Sequence, residues 1–97
     1  MAKKGYWIVL HVSDADGMVM AKYAEAARPV IAAAGGRLII RGQPAKACEG
    51  GVNEPAIVVE FENLEKALAT YEDAGYQAAL KILDGKVKRD FRIVEGV

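Results

Sequence analysis

The chain holds one cysteine, one histidine, one tryptophan and three prolines in 97 residues, and aromatic side chains make up 7% of it. A lone Cys48 excludes an intrachain disulfide, which fits a reducing compartment. Its only possible histidine partner, His11, lies far away in the chain, so Cys48 is not read as a nucleophile. One histidine and one cysteine cannot make a zinc site without several carboxylates. No phosphate loop is present, because Gly35-Gly36 ends a helical pattern instead of opening one. Charge of one sign is also lacking. Thirteen basic and thirteen acidic residues cancel, so no overall field draws the chain to nucleic acid or to anionic lipid. The small cluster Lys86, Lys88 and Arg89, broken by Val87 and Asp90, is expected to be a solvated strand end. No apolar run approaches the roughly 20 residues of a membrane span. The N-terminal run Gly5 to Leu10 is too short for a signal peptide and stops at His11. These absences predict a soluble, cytoplasmic protein without cofactor, metal, nucleic-acid partner or membrane partner.

What is present is enough for one core. Ninety-seven residues that are 53% hydrophobic form a single domain over residues 1–97. The chain is organised around Ala56-Ile57-Val58-Val59-Glu60-Phe61, a short, β-branched run that follows Asn-Glu-Pro. Such a run reads as a buried strand. Glu60 is out of place in it. A carboxylate buried without a partner is costly, so Glu60 must reach water or a cation.

Tyr6 to Val12 reads as the first strand. A helix follows from about Gly17 to Ala34, with Asp16 as its N-cap. Its apolar stripe is Val19, Tyr23, Ala26, Ala27, Val30, Ile31 and Ala34, and Pro29 predicts a kink between Glu25 and Pro29. Gly35-Gly36 stops it. Arg37 to Gly42 is the second strand, Ala45 to Glu49 a short extension, and residues 50–53 a flexible tip. Asn63 caps a helix carrying Leu64, Ala67, Leu68 and Tyr71. Asp73-Ala74-Gly75 interrupts it, and a second piece carries Tyr76, Ala79, Leu80 and Leu83. Val87 to Glu95 is the last strand.

The order β-α-β-β-α-β predicts an α+β fold, the ferredoxin-like split βαβ with both helices on one face of an antiparallel sheet. Strand alternation then divides the residues. Ile8, Leu10, Val12, Leu38, Ile40, Ile57, Val59, Phe61, Phe91 and Ile93 are expected under the helices. The opposite face would carry Trp7, Val9, His11, Arg37, Ile39, Arg41, Ala56, Val58, Glu60, Asp90, Arg92 and Val94. That second face is too apolar for open water, which predicts a homodimer built sheet against sheet. The hairpin of the second and third strands puts Arg37 near Glu60. Reading the first and third strands as parallel puts His11 beside Glu60, and the antiparallel fourth strand brings Asp90 toward His11.

Several residues in fixed order carry a family resemblance: Gly5-Tyr6-Trp7-Ile8, Tyr23 and Pro29 in the first helix, Ala34-Gly35-Gly36-Arg37, Arg41-Gly42, Glu49-Gly50, Val58-Val59-Glu60-Phe61, Leu64-Glu65, Tyr71 and Tyr76-Gln77-Ala78-Ala79. Over nearly its whole length the chain resembles the DUF-thirteen-thirty family of uncharacterised domains. That resemblance implies the dimeric α/β-barrel superfamily: a ferredoxin-like protomer and a sheet-on-sheet dimer. Other branches of the superfamily include cofactor-free monooxygenases, but the family itself carries no established reaction, and fold analogy does not supply one. One segment departs from the family pattern. Glu72-Asp73-Ala74-Gly75 stands where the family usually has Ser-Pro-Glu.

The candidate site that follows is His11 with Glu60 as catalytic residues. A histidine beside carboxylates can serve as a general base near neutral pH. Arg37, Arg41, Arg92, Asp90, Tyr23 and Tyr76 are candidate ligand-binding residues. Arginine suits bidentate binding of a carboxylate, and a tyrosine hydroxyl can line a pocket. For each a plainer role exists: Glu60 and Arg37 as a structural ion pair, Arg41 and Arg92 as rim residues, the tyrosines as packing. The expected function is small-molecule binding or cofactor-free catalysis in a pocket of the dimeric barrel. The alternative is a non-catalytic dimerisation module.

Overall fold

A computed structural model describes residues 3–13 and 16–97. The elements run β1 (Gly5–His11), α1 (Gly17–Ala33), β2 (Arg37–Gly42), β3 (Ala56–Phe61), α2 (Leu64–Glu72), α3 (Ala74–Leu83) and β4 (Arg89–Glu95). The four strands form one sheet in the order β2-β3-β1-β4, and every pairing is antiparallel. This is the α+β, ferredoxin-like arrangement expected from the order of elements.

The helix ends follow from local chemistry. Asp16 accepts a hydrogen bond from the Met18 amide at 2.8 Å, and Asn63 accepts one from the Lys66 amide at 2.8 Å. Both satisfy amides that the first helical turn leaves free. Asp73 closes α2 and opens α3, its carboxylate taking the Gly75 amide at 2.7 Å. Helix α1 continues through Pro29 as one α-helix. Gly35 then takes φ +80°, where a side chain would be strained. Gly36 is required for a different reason. A Cβ there would lie 2.6 Å from Ile31 Cγ2 and 2.8 Å from Phe61 Cε1. Residues 14 and 15, between β1 and the Asp16 cap, lie outside the described residues. No strand extends over 45–49, and β4 begins at Arg89, two residues later than expected.

Two expectations about the sheet are corrected. β1 and β3 are antiparallel, not parallel: Tyr6 stands opposite Glu60 and Leu10 opposite Ala56. The crossover through α1 keeps β2 parallel to β1, and the hairpin then reverses β3. His11 and Glu60 therefore lie at opposite ends of the sheet.

The second correction concerns which side of β1 faces the helices. Trp7 and Val9 are buried in the core, and His11 is buried with them, whereas Leu10 and Val12 are exposed. Trp7 pairs across the sheet with Val59 and with Ile93, and Val9 with Ile57 and Phe91, so these residues share the helix side of the sheet. Both parity sets of β1 are apolar, and a shift of one residue exchanges them. Trp7 decides the choice. Its ring centroid lies 4.8–5.2 Å from those of Tyr76, Phe61 and Phe91, and its indole nitrogen donates to the Ala67 carbonyl at 2.8 Å. Only the helix side offers that volume and that acceptor.

In β2 the alternation breaks. The register shifts between Leu38 and Ile40, so Arg37 stands opposite Glu60 and Ile40 opposite Val58, but Arg41 stands opposite Ile57. One extra residue at a bulge changes the side to which the following residues point. Ile40, expected under the helices, belongs to the open face and is 52% exposed. Arg41, expected on the open face, is turned to the helix side.

Candidate functional site

Helix α1 leans mainly on α3, and α2 covers β1, β3 and β4. Where α1 passes over β2 and β3, three of the residues it turns to the sheet are alanines: Ala21, Ala24 and Ala27. Alanines cannot fill the distance from a helix to a sheet. A cleft of about 540 Å³ remains between α1 and the sheet, a volume suited to a small organic molecule. Its apolar walls include Met20, Ile31, Leu38, Ile57, Val59 and Phe91, with Trp7 and Val9 on its floor. Its polar side chains are Tyr23, Arg28, Arg41 and Arg89.

Tyr23 and Arg89 belong to one cluster. The hydroxyls of Tyr23 and Tyr76 are 2.6 Å apart, and Arg89 Nη1 donates to the Tyr23 oxygen at 3.4 Å. The Arg89 guanidinium carbon stands 5.0 Å from the Tyr23 ring centre and 5.4 Å from that of Phe91, close enough for cation–π attraction. Tyr76 is fully buried behind Tyr23. Burial pushes its hydroxyl pKa far above the ordinary value, with the neighbouring Tyr23 adding to the effect, so Tyr76 keeps its proton. For Arg89, burial opposes the charge, but the oxygens of Tyr23 and Tyr76 outweigh it, and its pKa stands above the ordinary arginine value.

The remaining sequence candidates fall elsewhere. His11 is 6% exposed and its Nε2 has no hydrogen-bond partner among the described residues. Burial, and then the charge of Arg89 beside it, lower its pKa, with Glu54 acting weakly in the other direction. It borders a smaller hollow of about 270 Å³ under the loop of residues 43–55, together with Cys48, Glu54 and Asp90. Asp90 does not serve it, because its carboxylate is held by Arg92 at 2.9 Å. Glu60 sits on the open face, where it accepts from Arg37 at 3.0 Å and from the Tyr6 hydroxyl at 3.0 Å. Donation to Glu60 raises the Tyr6 pKa. The pairing of Arg37 with Glu60 is thus the plain ion pair that the hairpin implied. The constellation of His11, Glu60 and Asp90 is not assembled. Arg89, read from sequence as a solvated strand end, is instead half-buried in the cleft. Its spacing could have placed it. It lies two residues before Phe91, on the side already assigned to the helices.

Residues 4–97 match the family model described as a domain of unknown function, DUF1330. The chain belongs to the DUF1330 family. No curated protein matches it. Among solved structures, this DUF1330 domain is similar to a protein of unknown function from Rhodopseudomonas palustris, at TM-score 0.74 and 14% identity, covering 100% of this chain and 85% of that one. It is similar to a protein of unknown function from Bacteroides fragilis described as dimeric and of ferredoxin-like fold, at TM-score 0.61 and 22% identity, covering 95% of each chain. It is also similar to a cofactor-independent oxygenase from Streptomyces nogalater, at TM-score 0.63 and 10% identity, covering 97% of this chain and 92% of that one. At these identities the likeness establishes the fold that the DUF1330 domain shares with them. No helix among the described residues is long and apolar enough to cross a membrane.

Proposed function

We propose that this DUF1330 domain binds an apolar small molecule in the cleft between α1 and the sheet, and that two copies associate through the open sheet face. The observation that carries the first half is the cleft itself. A gap of about 540 Å³ lined by apolar side chains is far larger than the packing voids of a domain this size. The fold is shared with an oxygenase described as cofactor-independent, and the mostly apolar walls of the cleft suit an organic ligand. Binding is the part of that reading the residues support directly. The neutral fluorescent probe N-phenylnaphthylamine tests it. Its fluorescence should rise on addition of the protein, and Ala24→Trp, which fills the cleft from α1, should abolish the rise. Equal fluorescence with both proteins would place the probe elsewhere and refute the reading.

The association rests on the open face. Ile8, Val58 and Ile40 form one row across it, with Leu10 and Val94 nearby. Leu10, Ile40 and Val94 are 41%, 52% and 42% exposed. The charged pairs Arg37–Glu60 and Arg92–Asp90 stand toward the edges of this face, an apolar centre with a polar rim. The Bacteroides fragilis neighbour described as dimeric has the same fold. Light scattering should give a dimer for the wild type and a folded monomer for Leu10→Lys. A monomeric wild type at micromolar concentration would end this half of the reading.

A further inference from the structure

We propose that the ligand of the cleft is an apolar acid, a carboxylate or enolate on a flat hydrophobic body, whose anionic oxygen is held by the Tyr23 hydroxyl together with the Arg89 guanidinium. This rests on the cleft being a ligand site, and it adds the chemical class.

The first support is charge. The chain as a whole is neutral, with thirteen residues of each sign. The cleft is not. Arg28, Arg41 and Arg89 line it, and no aspartate or glutamate does so among the described residues. Neither Arg41 nor Arg89 has a carboxylate within ion-pair distance among those residues. Arg28 and Arg41 are exposed and Arg89 is half-buried, and a charge partly withdrawn from water, as that of Arg89 is, calls for an anion more strongly than one in water does.

The second support is a proton count. Tyr76 is fully buried, and the one acceptor described for its proton is the oxygen of Tyr23, because Arg89, which also approaches the Tyr76 oxygen, only donates. Were Tyr23 the donor, the Tyr76 proton would be left buried and unpaired. Tyr76 therefore donates. Arg89 donates to the same Tyr23 oxygen. A hydroxyl oxygen has two lone pairs, and both are now used. The remaining proton of Tyr23 finds no acceptor among the described residues, and Tyr23 lies on the cleft wall. Arg89 keeps most of its five N–H donors for other use. This end of the cleft offers donors without acceptors. An alcohol or amine would leave its own proton unpaired there, whereas a carboxylate or enolate only accepts.

The test is displacement of N-phenylnaphthylamine by two competitors of nearly equal shape, naphthoate and naphthylmethanol. The wild type should bind the carboxylate at least about tenfold more tightly than the alcohol. Tyr23→Phe and Arg89→Met should each remove most of that preference, read as the ratio of the two competitors' displacement within the same variant. Tyr76→Phe, which leaves the Tyr23 hydroxyl in place, should keep most of the preference. Circular dichroism checks each variant for folding, and if Tyr23→Phe does not fold, Arg89→Met alone decides. No preference in the wild type, or a preference that survives in the folded variants, overturns the assignment of the anion even with the probe bound in the cleft. Failure of Ala24→Trp to expel the probe instead overturns the cleft itself, so the two failures are separable.

Discussion

Replacing Trp7 with phenylalanine tests the division of the sheet into a roofed and an open side. Trp7 is 1% exposed, stacked among Phe61, Tyr76 and Phe91, and donates to the Ala67 carbonyl. Phenylalanine keeps an aromatic ring but loses the indole N–H. The lost hydrogen bond, to a carbonyl that keeps its own partner within α2, costs about 1 kcal/mol. The missing second ring leaves a void, and because full truncation of a buried tryptophan costs about 3–5 kcal/mol, this partial one costs about 1–2 kcal/mol. The sum is about 2–3 kcal/mol. In a domain of this size each kcal/mol shifts Tm by about 4–8 °C, so the midpoint should fall by at least about 8 °C. Far-ultraviolet circular dichroism melts at several protein concentrations measure it, with light scattering on the same samples. If the midpoint holds within a few degrees while the molecular mass halves, Trp7 belongs to the association face and the division is wrong.

Three further outcomes are expected. Gly36→Ala should lose about 1–3 kcal/mol by urea denaturation, because the new methyl meets Ile31 Cγ2 and Phe61 under 3 Å, and Ile31→Ala, which removes that Cγ2, should cost less in the Gly36→Ala chain than in wild type. A neutral Gly36→Ala would mean that α1 stands off further than the structure places it. His11 titrates at lower pH in the fold than its ordinary 6.5, so the unfolded chain binds its proton first. Stability should be unaffected by His11 above the unfolded value and fall as pH drops from there toward the folded one, by no more than about 1.4 kcal/mol per pH unit. His11→Gln should lose less stability than wild type between neutral pH and about pH 5, and equal losses would contradict the burial. In Glu60→Gln the Tyr6 phenol should ionise at lower pH than in wild type, read by ultraviolet absorbance, because the carboxylate that raises its pKa is gone. An unchanged titration would show that Tyr6 and Glu60 do not meet.

Element order, helix caps and the Arg37–Glu60 pair were legible because each depends on residues close in sequence or joined by a tight connection. Asp16, Asn63 and Gly35 act within one turn, and a hairpin fixes which residues of its two strands face each other. Tyr23 and Tyr76 were also legible as candidates, although their joining at 2.6 Å across two helices was not. The proposed pairing of His11 with Glu60 failed at one step, the sense of β1 against β3, and that single reversal moved the two residues to opposite ends. Of the small α1 residues on the cleft only Ala27 falls in the apolar stripe expected from sequence, and Ala21 and Ala24 lie outside it, since nothing local reveals that a helix leans on its neighbour and leaves part of the sheet uncovered.

The sequence by itself determined the fold class, the family and the ends of nearly every element, because these are set by short-range preferences and by an alternation of apolar and polar residues. Only the tertiary structure decided which side of β1 is roofed, where the bulge turns Arg41, and that α1 stands away from β2 to open a cleft beside Arg89. Those outcomes depend on how whole surfaces fit. Trp7 needs a volume and an acceptor that are supplied by Ala67, Tyr76 and Phe91, all more than fifty residues distant in the chain, and a pattern that is apolar on both parities carries no record of that choice.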